Sequence, residues 1–297
     1  MTGLNGWLVV DKPVGPTSAQ VVGKLKWALR QGGHGKVKIG HGGTLDPLAS
    51  GVLPIALGEA TKLSGYLLNG RKAYRFTVSF GAATSTDDAE GEVVARSDVR
   101  PTRGAIQAAL PGFTGPIRQR PPAYSALKVD GERAYALARA GETVELAERS
   151  LVIHSLELVE TTDDSATLEV HCSKGTYVRS LASDLALALG TVGHVSLLRR
   201  IGAGPFTLDQ ALSLDKCVEL VHGPAPEQAL LPLTAGLDDI PALAVDPREA
   251  AALQQGKRLP GPRVKPGPYI ATLGSVPVAL VEVSDEDVKV LRGFNLL

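Results

Sequence analysis

Apolar residues recur in short runs whose period changes along the chain, and each change marks an element. Trp7 to Val10 is short and uninterruptedly apolar, which predicts a buried strand. After the DKPVGPTS turn comes a helical stripe of Val21, Val22, Leu25, Ala28 and Leu29, which Thr17 or Ser18 can cap and Gly32-Gly33 stops. Lys24, Lys26 and Arg30 fall mostly on the other face of that helix. Lys72 to Phe80 alternates: Tyr74, Phe76, Val78 and Phe80 point one way and Arg75, Thr77 and Ser79 the other, as a one-sided antiparallel strand requires. Further strands are predicted at Leu151 to Glu160 and Thr167 to Cys172, and helices near Arg103 to Leu110, Glu132 to Ala140 and Tyr177 to Leu189. Strands and helices mix without a steady βαβ rhythm, which predicts an α+β fold over a doubly wound one. Proline and glycine cluster between Gly223 and Pro241, the composition of a connection between domains. Beyond it, runs such as Tyr269 to Leu273 and Val276 to Val283 predict a small β-rich appendage. There is no internal repeat.

Composition bounds the class. A chain of 297 residues with 44% apolar content has room for one large domain plus a small one. Cys172 and Cys217 lie far apart without CxxC spacing, which argues against a zinc cage or disulfide framework and for a reducing, cytoplasmic setting. The opening MTGLNGWLVVDKP lacks a basic leader and its apolar run is cut by Asp11 and Lys12, so neither a secretory signal nor a membrane span is expected. Formal net charge is zero, with 31 basic and 31 acidic residues. That balance hides segregation. Lys12 to Leu45 holds six Lys/Arg and no acid, and Val99 to Val129 holds five and none. Binding a phosphate backbone needs only such local patches.

The acid-free passage ends on one aspartate, in GHGGTLDPLASGVL from Gly40 to Leu53. A pre-proline residue is driven out of the helical region, so Asp46 before Pro47 projects from a fixed loop. Gly42 and Gly43 allow another backbone or a ligand to come close. An Asx turn capping the following run is the plainer reading of the same residues. Familiar machines are excluded by spacing: no GxGxxG register, P-loop, GxSxG elbow or HExxH is present, and the six histidines are scattered. No metal site is expected. The second informative run is CSKGTYVRSLASDLALALG, Cys172 to Gly190, in which a strand turns into a helix with Tyr177 and Arg179 at its first turn. The helix dipole disfavours a cation there, so Arg179 is either an ordinary surface residue or is held by a carboxylate. Tyr74 is either a core residue in line with Phe76 and Phe80 or a stacking ring with a usable hydroxyl.

Taken together, these runs resemble the TruB family of tRNA pseudouridine synthases. GWLVVDKPVGPTS is similar to the family's opening motif, and GHGGTLDPLASGVLPIALGEATK to its catalytic signature. KAYRFTVSFGAATSTDDAEG, QRPPAYSALKVDGERAYALAR, CSKGTYVRSLASDLALALG and HVSLLRRIGAGPF follow in the family's order, so the resemblance covers roughly Gly6 to Phe206. ASGVLP after the core motif looks like the stand-alone bacterial form rather than the guide-RNA-dependent one.

The resemblance implies a mixed, mainly antiparallel sheet of pseudouridine synthase type with flanking helices in 1–238. It implies a small PUA-like RNA-binding domain in 239–297, matched only loosely. The implied activity is isomerisation of uridine 55 in the T-loop of tRNA to pseudouridine, without metal or organic cofactor. By matching position, Asp46 is the catalytic aspartate, Arg179 its ion-pair partner and Tyr74 the ring stacked on the target base. His41 matches the residue that enters the RNA loop, Tyr177 and Leu198 match pocket-lining positions, and Gly42 and Thr44 complete the substrate side. Candidate phosphate contacts are Lys12, Lys24, Lys26, Arg30, Lys36, Lys38, Arg118, Arg120, Lys128 and Lys174. The expected partner is tRNA, through its T-arm and T-loop, with no membrane, guide RNA or obligatory protein partner, and the chain is expected to be a monomer. The competing expectation is a tRNA-binding folding factor without essential catalysis. A hydrolase built on Asp46 and His41 lacks a second carboxylate or metal ligands.

Overall fold

The computed structural model describes residues 3–125, 128–129, 132–133, 135, 146–237, 240–261 and 264–296. Its main sheet has ten strands, eight of them in the order Leu212–Ser213, Gly6–Lys12, Ala49–Leu57, Gly193–Ala203, Lys72–Phe80, Ser165–Cys172, Arg149–Thr161 and Gly115–Gln119. Phe206–Thr207 and Ile39–His41 pair beside that path. Two contacts are parallel, Gly6–Lys12 with Leu212–Ser213 and Ala49–Leu57 with Gly193–Ala203, and the others are antiparallel. The sheet is therefore mixed and mainly antiparallel, in an α+β arrangement.

The predicted elements form for the reasons their patterns suggest. Thr17 caps the helix Ser18–Gln31 by accepting from Gln20 N, Gln20 reciprocates in a capping box, and Gly32 N closes the far end on Ala28 O. Val21, Leu25, Ala28 and Leu29 are buried against the sheet beside Leu214, Cys217 and Val221 of the helix Leu214–His222. Across the sheet's middle, Leu181, Ala182, Leu185 and Ala186 of the helix Val178–Ala188 cover Phe76, Val78, Leu168 and Val170.

Two central strands were not among the elements read from the pattern. Ala49–Leu57 does not alternate because both of its faces are buried: Val52 and Ala56 pack with Trp7 and Phe206, while Leu53, Ile55 and Leu57 pack under the helix Ser18–Gln31. Gly51 and Pro54 further mask it. Gly51 has φ +101°, and a Cβ there would lie 2.1 Å from Arg200 O, so only glycine lets the parallel neighbour approach. Gly193–Ala203 is masked by Arg199 and Arg200. The expected helix at 132–140 is not observed at its start: Glu132–Arg133 is a strand pairing with Lys128–Val129. Asp130-Gly131 is a two-residue hairpin signal, which overrides the helical period there. Most of the remainder of 132–140 lies outside the described residues.

Residues 240 onward build a five-stranded sheet, Ala242–Ala244, Gly267–Leu273, Val276–Val283, Asp287–Gly293 and Leu259–Pro260, with the helix Pro247–Gln254. It has its own core of Val245, Leu253, Ala271, Val281 and Val288. Its other face joins the main domain: Ile270, Leu280 and Phe294 belong to one cluster with Trp7, Leu67, Phe206, Leu233 and Leu237. The segment from Gly223 is likewise docked. Trp7 N and Leu231 N exchange hydrogen bonds with the opposite carbonyls at 2.9 and 2.8 Å, and Trp7 Nε1 donates to Leu233 O at 2.9 Å. Glu59 adds a polar rivet, accepting from Lys62 Nζ at 2.6 Å and from Asn295 N at 2.8 Å. Among the described residues no helix is long and apolar enough to cross a membrane.

Phe294 is 1% exposed at this seam. Its replacement by alanine is expected to cost about 3 to 5 kcal/mol and to split one cooperative unfolding transition into two. Chemical denaturation followed by tryptophan fluorescence, which reports Trp7 on the same cluster, checks this.

Candidate active site

Asp46 lies in the loop between the strands Ile39–His41 and Ala49–Leu57, and the backbone on either side of it is pinned. Leu45 N donates to Ser18 Oγ at 2.8 Å and Ser18 Oγ to Leu45 O at 3.1 Å, tying the loop to a helix start. Gly15 N donates to Pro47 O at 2.9 Å and Ala49 N to Asp46 O at 3.1 Å. The main chain is thus fixed while the carboxylate, on a side chain 47% exposed, remains open to the cleft.

Arg179 reaches this carboxylate from a remote strand-turn-helix unit. Tyr177 precedes the helix Val178–Ala188 in extended geometry, and no acid stands in the helix's first turn. The Arg179 side chain is 8% exposed; its Nη2 lies 3.2 Å from Asp46 Oδ2 and donates to Tyr124 O at 2.9 Å. Its Nη1 donates to Thr86 O at 2.9 Å and lies 3.5 Å from Asp88 Oδ2. Asp88, with a side chain 10% exposed, is the more deeply buried of the two carboxylates that share the cation. Hydrogen bonds from Thr86 Oγ1 and Glu90 N hold it in place. The Coulomb partner that outweighs the unfavourable helix dipole is therefore double, one acid in the interior and one facing outward.

Asp46, Leu48, Ala49, Asp88, Arg179 and Val195 to Leu198 line a cleft over the ion pair. Leu198 pairs across the parallel seam with Ala49 and across the antiparallel seam with Phe76. Leu198 and Tyr74 both pack against the two helix-covered cores, so they mark the line where those cores meet. Burial pushes the Tyr74 phenol up, and the nearby Arg200 guanidinium opposes that rise. Burial likewise pushes Tyr177 up, against the neighbouring Ser125 hydroxyl and the charges of Arg149 and Arg179. Both phenols feel the Asp46 charge.

The other residues singled out from the sequence fall in different places. His41 ends the short strand opposite Ile55 and does not line the cleft; burial, then the charge of Arg200, pushes its imidazole down. Gly42 is buried, with its α-carbon facing Leu67, whereas Thr44 is exposed. Lys36 and Lys38 are exposed, as are Lys24, Lys26 and Arg30. Lys24 pairs with Asp215 at 2.8 Å, Arg118 with Glu148 at 3.1 Å, and Arg120 lies 3.9 Å from Glu148. Lys174 donates to Asn69 at 2.8 Å. The Lys128 side chain lies outside the described residues.

Lys12 requires a correction. It is 0% exposed, and its ammonium donates to Pro13 O at 2.9 Å, Pro16 O at 2.7 Å and Pro47 O at 3.4 Å. A cation so enclosed is a brace for the proline-rich turn and the Asp46 loop, not a contact for phosphate. Burial pushes it down to about 8.

Sequence reasoning missed three groups: Asp88, Gln119 and Arg200. The DD pair in TSTDDAEG is the one local signal for Asp88, and nothing in its spacing ties it to Arg179. Gln119, 2% exposed, brackets Tyr177 by accepting from its N at 2.8 Å and donating to its O at 3.0 Å. Nothing in the local spacing announces that clamp. Among the described residues no group of His, Cys, Asp and Glu could hold a metal ion.

The Asp46 carboxylate and the Arg179 guanidinium face each other over a cleft whose other walls are mostly apolar; Tyr74 and Tyr177 lie near Asp46 without lining that cleft. The fold around them is shared with solved structures. The solved structure described as a Cbf5-Nop10-Gar1 complex superposes with a TM-score of 0.76 at 28% identity, over 98% of this chain and 85% of that one. An H/ACA RNP bound to a substrate RNA containing 2'-deoxyuridine gives 0.75 at 26% identity, over 98% and 85%. Residues 30–178 match the N-terminal domain of the TruB family pseudouridylate synthases, and residues 179–238 match the tRNA pseudouridylate synthase B C-terminal domain. The chain is 57% identical to tRNA pseudouridine synthase B of Novosphingobium aromaticivorans, over 99% of its own length and 98% of the relative's. It is 54% identical to the same enzyme of Zymomonas mobilis, over 98% and 96%. The chain belongs to the TruB family.

The unequal burial of the two acids sets their contributions to stability. An exposed pair is worth about 1 kcal/mol or less, so Asp46→Ala is expected to leave stability within that margin. Arg179→Met strands Asp88 and is expected to cost about 3 to 5 kcal/mol. Urea unfolding of both variants checks the ordering; equal losses would contradict the asymmetric sharing of Arg179.

Proposed function

We propose that this protein isomerises uridine 55 in the T-loop of tRNA to pseudouridine, with Asp46, Arg179 and Tyr74 as its catalytic residues. The observation that carries this reading is the Asp46–Arg179 contact at 3.2 Å beside an apolar cleft, in a chain of this family. A paired uridine is out of reach of any side chain, so the nucleotide leaves its stack and enters the cleft. Tyr74 underlies the uracil ring, Leu198 and Tyr177 close its edges, and His41 occupies the place the base vacates. Asp46 then serves the ribose, as nucleophile, electrostatic partner or base, and Arg179 holds it in position. The C1′–N1 bond breaks, the uracil turns within the cavity, C5 bonds to C1′, and the proton on C5 is lost while N1 gains one. The apolar walls keep the detached base from escaping into water.

In this reading residues 1–238 form the catalytic domain and 239–297 a PUA-like RNA-binding domain. The exposed Lys24, Lys26, Arg30, Lys36, Lys38, Arg118, Arg120 and Lys174 meet phosphates and set the register of the T-arm without reading bases. Splayed loop bases stacked on aromatic rings supply the selectivity. The enzyme works in the cytoplasm on free tRNA, as a monomer and without a guide RNA or obligatory protein partner.

Tritium release from a tRNA transcript labelled at uridine C5 is the deciding measurement, because only chemistry at C5 frees the label. The wild-type protein is expected to release one equivalent per tRNA, and no release from a correctly folded transcript overturns the proposal. Asp46→Ala is expected to abolish release while tRNA binding persists. His41→Ala is expected to slow release about tenfold, the equivalent of about 1.4 kcal/mol in the barrier.

A further inference from the structure

Arg200 sits beneath the Asp46 loop with 1% exposure, and it enters none of the ion pairs among the described residues. Desolvating a guanidinium is costly, so such a residue persists only where its donors are well satisfied. Nε donates to Val52 O at 2.7 Å, Nη1 to Thr44 O at 3.2 Å and Nη2 to Gly43 O at 3.4 Å. Arg200 also stands directly opposite Tyr74 in the antiparallel register, close enough for its charge to act on the phenol.

One rigid fork therefore touches three parts of the chain. Gly43 and Thr44 belong to the loop that carries Asp46, Val52 to the strand leaving that loop, and Tyr74 to the strand paired with Arg200's own, beside the cleft-lining Leu198. The site is shaped for this side chain: a Cβ on Gly43, at φ +151°, would come within 3.4 Å of Arg200 Nη1. Charge alone does not explain the residue, since its nearest titratable neighbours include Lys12, Lys72 and His41, each pushed down by burial and further by Arg200. Planar fork geometry explains it, because five donors in one plane can hold several carbonyls at fixed separations, which an ammonium cannot.

We propose that Arg200 is a positioning residue for the isomerisation: it sets the separation between the loop bearing Asp46 and the ring of Tyr74. The proposal rests on the function given above. Arg200 is buried beneath the loop and reaches no RNA, so its effect falls on the chemical step and not on affinity. A misplacement of about 1 Å at a reacting centre can cost about 10²-fold in rate.

The test is single-turnover tritium release together with tRNA binding for Arg200→Lys, Arg200→Met, Tyr74→Phe and the Arg200→Lys/Tyr74→Phe double variant. Wild-type release is the control on the activity itself: its absence removes the proposed function, whereas its presence isolates the role of Arg200. Arg200→Lys, which keeps the charge but not the fork, is expected to lose about 10²-fold in rate with affinity nearly unchanged, and Arg200→Met to lose more. In the Tyr74→Phe background the lysine substitution is expected to cost less than in the wild type, because the phenol on which Arg200 acts is already gone. A folded Arg200→Lys with an unchanged rate, a loss confined to affinity, or fully multiplicative losses in the double variant overturns the proposal. Should the Arg200 variants fail to fold, Tyr74→Phe alone decides. In that variant the Arg200 guanidinium Nη–H resonances are expected to move and to exchange faster with solvent than in the wild type, and unmoved resonances refute the coupling between Arg200 and Tyr74.

Discussion

One guanidinium divided between two acids organises this molecule. Arg179 is almost wholly buried, and a buried cation with a single half-exposed partner would be a poor bargain in free energy. Asp88 changes that. It is as enclosed as Arg179 and is itself hydrogen-bonded, so the interior half of the interaction holds the side chain while the outer half is left to Asp46. The Asp46 carboxylate is thereby fixed in direction without being sealed from solvent. Gln119 and the Arg120 carbonyl, which accepts from Ser180 Oγ at 2.9 Å, brace the helix start from the other side.

The location of the site follows from the layering. Two groups of helices cover one face of the main sheet, Val178–Ala188 over its middle and Ser18–Gln31 with Leu214–His222 over one end. Between them lies the seam where Gly193–Ala203 runs parallel to Ala49–Leu57 and antiparallel to Lys72–Phe80. Leu198 and Tyr74 on that seam pack against both cores, and Leu198 lines the cleft, so its floor is anchored in the interior while its roof is open. Loops at such a junction can carry polar chemistry above a dry surface.

The C-terminal unit takes part in the same packing. Phe294, Ile270 and Leu280 share a cluster with Trp7 and Leu67, and Leu67 in turn lies against Gly42 of the signature loop. Trp7 and Phe206 meet at its centre in a tilted pair, with ring centroids 5.5 Å apart and planes at 51°. A chain of van der Waals contacts thus joins the appended sheet to the base of the loop that carries Asp46.

Periodicity alone was enough for the helix Ser18–Gln31, the strand Lys72–Phe80 and the helix Val178–Ala188, because each has one wet and one dry face. Asp46 was legible for a related reason: a pre-proline acid after an acid-free stretch states its geometry locally. Ala49–Leu57 was not legible, since a strand buried on both faces has no alternation and its Gly51 and Pro54 look like breaks. Tertiary structure alone decided the partners. Asp88 beneath Arg179, Gln119 across from Tyr177, Arg200 under the loop and Lys12 turned inward all depend on contacts between segments distant in sequence. Hydrogen bonds and ion pairs of that kind leave no period behind, because distance along the chain does not constrain which polar groups meet once the sheet has closed.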